Sequence, residues 1–127
     1  MEMFDDTEYV TFETAKLLKE KGFDKPCDRI WLTESKGNDW KKPERNSEIP
    51  EGCNDCTCPT IYQVITWLMD KKDIFLEIGV DRMIEGYTWA LYVNSTGEIY
   101  PYDGVEETYP MAAEEGIKCA LKNIVDK

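Results

Sequence analysis

Five cysteines and no histidine bound the chemistry open to this 127-residue chain. Four of the thiols gather around one run, Cys53-Asn54-Asp55-Cys56-Thr57-Cys58, with Cys27 upstream. Four thiolates could close a tetrahedral zinc site and pin a loop. The first pair has the two-residue gap of a zinc knuckle, but Cys56 and Cys58 are one residue apart, an awkward bite for one metal. No second two-residue pair exists, so reduced, unligated thiols and no bound metal are the favoured expectation, with a zinc-pinned structural module as an alternative. A redox pair is expected to open a helix directly after a strand, where its thiol pKa falls. Here the pair sits in a loop several residues ahead of a helix, which disfavours redox catalysis. Cys119 falls near the buried side of the last helical stretch and reads as a small core residue.

Without histidine the chain lacks the commonest general base, the imidazole metal ligand and the simplest switch near neutral pH. Carboxylates are plentiful, as in Asp5-Asp6, Glu106-Glu107 and Glu114-Glu115. None sits in a motif that would raise one pKa and hold its neighbour low, and adjacent helical residues point about 100° apart, so Glu114 and Glu115 cannot share a proton. No phosphate-binding glycine loop, nucleophile elbow or metalloprotease motif is present. No catalytic residue and no cofactor are assigned.

One stretch does point to a ligand. Trp40-Lys41-Lys42-Pro43-Glu44-Arg45, with Lys36 and Arg29-Ile30-Trp31 nearby in sequence, sets cations beside indoles on a long loop. Charge from Lys41, Lys42 and Arg45, with stacking on Trp31 or Trp40, could hold a small anionic, nucleotide-like ligand. The competing view is a solvated loop whose tryptophan packs over a sheet.

The elements that must position these residues follow from pattern. Residues 10–22 read as a first helix, which Thr11 can cap and Gly22 ends, with Phe12, Ala15 and Leu18 on one stripe. Residues 28–33 read as a short strand. From 34 to 58 there is no apolar period, and a loop of that length is functional, disordered or externally pinned. A second helix runs over 59–72, with Pro59 in its first turn and Ile61, Val64, Ile65 and Leu68 on its apolar face. Strands at 74–80 and 87–93, a turn at 94–97 and a strand at 98–100 form an antiparallel meander. A last helix runs from about 110 to 125, burying Ala113, Gly116, Ile117, Ala120, Leu121 and Ile124. The reading is one α+β domain over 1–127, in α-β-α-β-β-β-α order, with helices on one face of a small sheet. Ile61, Leu76, Trp89 and Ile117 should share one dry interior, with the 34–58 segment outside it. Trp67 and the second sheet face (Thr88, Ala90, Tyr92) lack obvious cover, which makes a homodimer plausible.

Composition limits the partners. Twenty-six acidic against 15 basic residues give a formal net charge of −11, which repels nucleic-acid backbones. The amino terminus is acidic, without the basic and apolar regions of a signal peptide, and no apolar run approaches a bilayer span. The expectation is a soluble protein without a membrane partner, in a reducing cytoplasm.

The final helix-strand-strand-strand-helix run has the element order of double-stranded RNA-binding domains. Those domains need lysines opening their last helix, where this chain has Pro110-Met111-Ala112-Ala113-Glu114-Glu115. A broader likeness rests on the 10–24 segment followed by Cys27, on Cys58-Pro59-Thr60-Ile61-Tyr62-Gln63-Val64 with Trp67-Leu68, and on Trp89 and Glu115-Gly116-Ile117 to Leu121. In these the chain resembles small uncharacterised proteins of Bacteroides-type bacteria and their phages. The Cys53–Cys56 pair stands outside that pattern. The resemblance implies a phage or prophage setting, in which small acidic proteins act by binding: blocking a host protein, or sequestering a nucleotide signal in counter-defence. The leading expectation is therefore a non-enzymatic binding protein, and the rival is a small carboxylate- and tyrosine-based enzyme acting on nucleotides.

Overall fold

The computed structural model of the chain describes residues 9–31, 44–49, 54–83, 85–101 and 104–125. Its elements are α1 (Phe12–Glu20), β1 (Ile30–Trp31), β2 (Cys56–Thr57), α2 (Ile61–Lys72), β3 (Ile74–Asp81), β4 (Gly86–Val93), β5 (Glu98–Pro101) and α3 (Tyr109–Asn123), with a single 3-10 turn at Asn46–Glu48. The α+β class and the α-β-α-β-β-β-α order hold, with β2 as one further short strand.

Local chemistry explains the boundaries. The Thr11 hydroxyl accepts from the Thr14 amide at 3.4 Å and starts α1. Gly22, at φ +90°, ends it. The amides of Phe23 and Gly22 then return to the carbonyls of Leu18 (2.9 Å) and Lys19 (3.3 Å), satisfying groups a helix end leaves open. At α2, Thr60 rather than Pro59 is the capping residue. Its hydroxyl accepts from the Gln63 amide at 3.1 Å while the Gln63 side chain accepts from the Thr60 amide at 2.8 Å. That reciprocal pair places Pro59 just before the helix instead of within its first turn. Thr108 caps α3 in the same way, its hydroxyl accepting from the Met111 amide at 3.2 Å.

The sheet order is β3-β4-β5, antiparallel throughout, with Leu76 opposite Leu91 and Ile78 opposite Trp89. Helix α3 lies on that face. A Cβ placed on Gly116 would stand 2.5 Å from Leu76 Cδ1 and 3.4 Å from the Trp89 ring, so the helix backbone touches the sheet's side chains directly. Ile61, Trp89 and Ile117 are buried in one core, and Leu76 packs against it, as the pattern requires. The opposite face carries Phe75, Tyr92 and Ile99 in one cross-strand row, with Ile99 59% exposed.

Two expectations change. Trp67 is covered: it is 5% exposed, with the Phe23 ring set edge-on at 5.3 Å. The chain leaving α1 folds back over the flank of α2, a contact between segments more than forty positions apart that no local pattern announces. The 34–58 segment is also partly inside. Asn46, Ile49, Asp55, Cys56, Thr57 and Cys58 are buried, because β2 pairs with β1 and its neighbours fill the space beneath α1. Among the described residues, no helix is long and apolar enough to cross a membrane.

Gly86 meets a stricter limit than Gly116. A Cβ there would run into the Val105 side chain and come within 3.0 Å of the Glu106 carbonyl, which is held in place by the amide of Tyr87 at 2.9 Å. Gly86→Ala is expected to cost about 1–3 kcal/mol by overpacking, read as a lower urea midpoint at unchanged slope. An unchanged midpoint would mean that this end of β4 is looser than described.

Candidate functional site: a cationic cleft beside α2

Three segments converge at the end of α2. The chain leaving α1 supplies Gly22, Asp24 and Lys25; α2 supplies Trp67, Lys71 and Lys72; the 44–49 segment supplies Arg45. They line an open cleft of about 510 Å³.

The 44–49 segment is held there by a dense set of bonds. Asn46, buried, donates from Nδ2 to the Phe23 carbonyl at 2.8 Å and accepts at Oδ1 from the Thr57 amide at 3.0 Å. Its one amide thus ties the exit of α1 to β2. The Ser47 amide donates to Asp24 Oδ1 at 2.7 Å, and the Cys27 amide donates to the Glu44 carbonyl at 2.8 Å. Glu48 Oε1 accepts from the amides of Glu44 (2.8 Å) and Arg45 (3.3 Å). Arg45 then reaches across to donate from its guanidinium to the Asp24 carbonyl at 3.0 Å.

The charge balance of this cleft opposes that of the chain. Lys25, Arg45, Lys71 and Lys72 contribute four positive charges, Asp24 one negative. Among the described residues, the ion pairs within 4 Å are those of Lys118, so none of the four cations has a carboxylate at that distance. The carbonyl end of α2 adds roughly half a negative charge. An excess of about two to three positive charges remains. At physiological salt the screening length is about 8 Å, so an anion in the cleft responds to these groups, and to the Glu48 carboxylate held on the Arg45 amide, more than to acidic residues further away.

Of the sequence-predicted site residues, Arg45 lines this cleft. Trp40, Lys41 and Lys42 lie outside the described residues. Trp31 is on β1, 39% exposed and edge-on to Phe12 at 6.1 Å, and is not among the described residues that line the cleft. Lys25, Lys71, Lys72 and Trp67 were missed. Lys71 and Lys72 could have been suspected as cations closing a helix, but their meeting with Lys25 and Arg45 is tertiary.

The thiol cluster is different in character. Cys27, Cys56 and Cys58 are buried and free. Cys58 donates from Sγ to the Val10 carbonyl and Cys27 to the Lys25 carbonyl, both at 3.4 Å, as thiols rather than thiolates. Burial pushes Cys56 and Cys58 from an ordinary value near 9 up to about 11, and raises Cys27 as well. For Cys56 the pull of Lys19, whose Nζ donates to the Asp55 carbonyl at 2.7 Å, works against the burial without overcoming it. Among the described residues no group of three or more cysteine or acidic side chains is arranged to hold a metal ion, and Cys53 lies outside them. Comparison of the chain with protein-family models, curated proteins and solved structures gives no match.

Two outcomes follow. Asn46→Ala strips partners from a buried carbonyl and a buried amide, and should cost about 2–4 kcal/mol in chemical denaturation. A loss below about 0.5 kcal/mol would show that water replaces the amide fully. The thiols give a pH dependence. Their folded pKa lies above the unfolded value, so the folded state holds the protons more tightly and the stabilisation is complete below pH 9. It is lost as pH rises from 9 towards 11. Replacing Cys56 and Cys58 together by Ala should flatten that limb of the stability curve, and an unaltered limb would exclude these thiols as its source.

Proposed function

We propose that this chain is a non-enzymatic binding protein that holds a small anionic, nucleotide-like ligand in the cleft between the exit of α1, the end of α2 and the 44–49 segment. The observation that supports this most is the gathering of four cations, without a carboxylate in ion-pair range among the described residues, in a chain of net charge −11. Keeping four together costs repulsion, which a bound anion removes.

The segment that carries Arg45 is fastened through buried and charge-assisted hydrogen bonds, so its position is set before a ligand arrives. Such preorganisation lowers the entropy lost on binding. The likeness to small proteins of Bacteroides-type bacteria and their phages gives the setting we propose, sequestration of a host nucleotide signal in counter-defence.

The test is a thermal-shift series with mono-, di- and triphosphate nucleotides, followed by recovery of the ligand. At a hundredfold excess over the dissociation constant, a ligand bound only to the folded state adds about 2.7 kcal/mol, a rise of several degrees. The ligand should be recovered intact, and the shift should shrink as salt rises from 50 to 300 mM. Steady consumption of the ligand, or no shift with any anion, would each rule the reading out.

A further inference from the structure

The cleft is unequal in what it offers the two ends of a nucleotide. Resting on the reading above, we infer that it takes the phosphate run of its ligand and leaves any base outside, so that the ligand class is a compact di- or triphosphate, nucleotide-borne or inorganic.

The single ring among the described lining residues is Trp67. Its indole is 5% exposed, with Phe23 edge-on at 5.3 Å and Lys72 Nζ 5.4 Å from its centroid. A base gains affinity by stacking on an open aromatic face. Trp67 has no such face to give, being part of the wall behind the cations.

The cations, by contrast, come from three separate segments. Arg45 spends one side of its guanidinium on the Asp24 carbonyl and keeps the rest of its fork for an oxyanion. Lys25 and Lys71 are exposed at the cleft and behave as point charges with freely turning donors. A lone phosphate ester presents its charge and its three oxygens on a single centre, against donors that come from three separate segments. Two or three linked phosphates bring more acceptor oxygens to those donors. Asp24, the lining carboxylate, does not compete for these donors with its Oδ1, which accepts from the Ser47 amide.

Calorimetric titration of the full chain at 50 mM salt with tripolyphosphate, ATP, AMP and adenosine tests this. Tripolyphosphate and ATP should bind within about threefold of each other, AMP about tenfold or more weaker, and adenosine not at all. Lys25→Glu with Lys71→Glu should abolish tripolyphosphate binding while leaving the melting temperature within a few degrees. If that pair fails to fold, Lys71→Gln alone should weaken tripolyphosphate about fivefold. ATP binding with tripolyphosphate at least tenfold weaker would show that the base is read, overturning this inference while the anion-binding reading survives. Undiminished tripolyphosphate binding in the lysine variants would place the anion elsewhere and overturn it too. Absence of binding by any phosphate compound would remove both.

Discussion

Helix α3 can lie flush against the sheet because position 116 has no side chain. With a Cβ there, either the Leu76 methyl would have to swing aside or the helix would have to rise off it, and the packing between α3 and strands β3 and β4 would change. That close approach sets the height of α3, and the height of α3 sets where α1 sits. Glu114, one turn-face away, reaches α1 with both carboxylate oxygens. It accepts from the Thr11 amide at 2.7 Å and from the hydroxyl of buried Thr14. An anion at the amino end of α1 is favoured by the helix dipole as well as by these donors. Sheet, α3 and α1 are therefore one stack, fixed by a missing methyl and a bridging carboxylate.

The β1–β2 ribbon and the 44–49 segment join that stack through α1, whereas α2 packs on β3 and α3 directly. The exit of α1 carries Phe23 into the core against Trp67, and the Phe23 carbonyl takes the Asn46 amide. A buried polar side chain that satisfies two backbone groups at once is costly to remove and hard to replace, since no apolar residue can mimic it. Through Asn46 the geometry of α1 passes to β2 and to the segment bearing Arg45. The cleft is thus a by-product of core packing, with its cations mounted on the ends of packed elements.

Burial rather than distance separates two kinds of reactive group: Cys27 donates to the carbonyl of Lys25, whose side chain is exposed at the cleft. The described thiols at 27, 56 and 58 are buried beside the β1–β2 ribbon, where burial holds them protonated. The concentrated positive charge is at the end of α2. A buried thiol contributes packing volume and a weak hydrogen bond and is poorly reactive, so its role here is that of a small core residue. The cations are the groups left accessible to a partner.

The helices, the meander and their order were legible in the chain because each depends on neighbours within a few residues. Thr11, Thr60 and Thr108 cap, Gly22 and Gly97 turn with positive φ, and apolar spacing marks the buried faces. Part of the long loop was misread for the same reason inverted. Asn46 and Asp55 look like solvent-seeking residues in a window of charge and proline, and their burial follows from partners in β2 and α1 that are remote in sequence. Arg45 was identifiable as a cation with a role in binding, but nothing local marks Lys25 beyond the end of α1, or Lys71 and Lys72 in the last turn of α2. Sequence by itself determined the elements, their amphipathic faces and the excess of negative charge, since these are properties of local pattern and of sums. Tertiary structure alone decided which cations share a cleft and that Trp67 is walled in, because both depend on distances between segments that the chain's linear order does not encode.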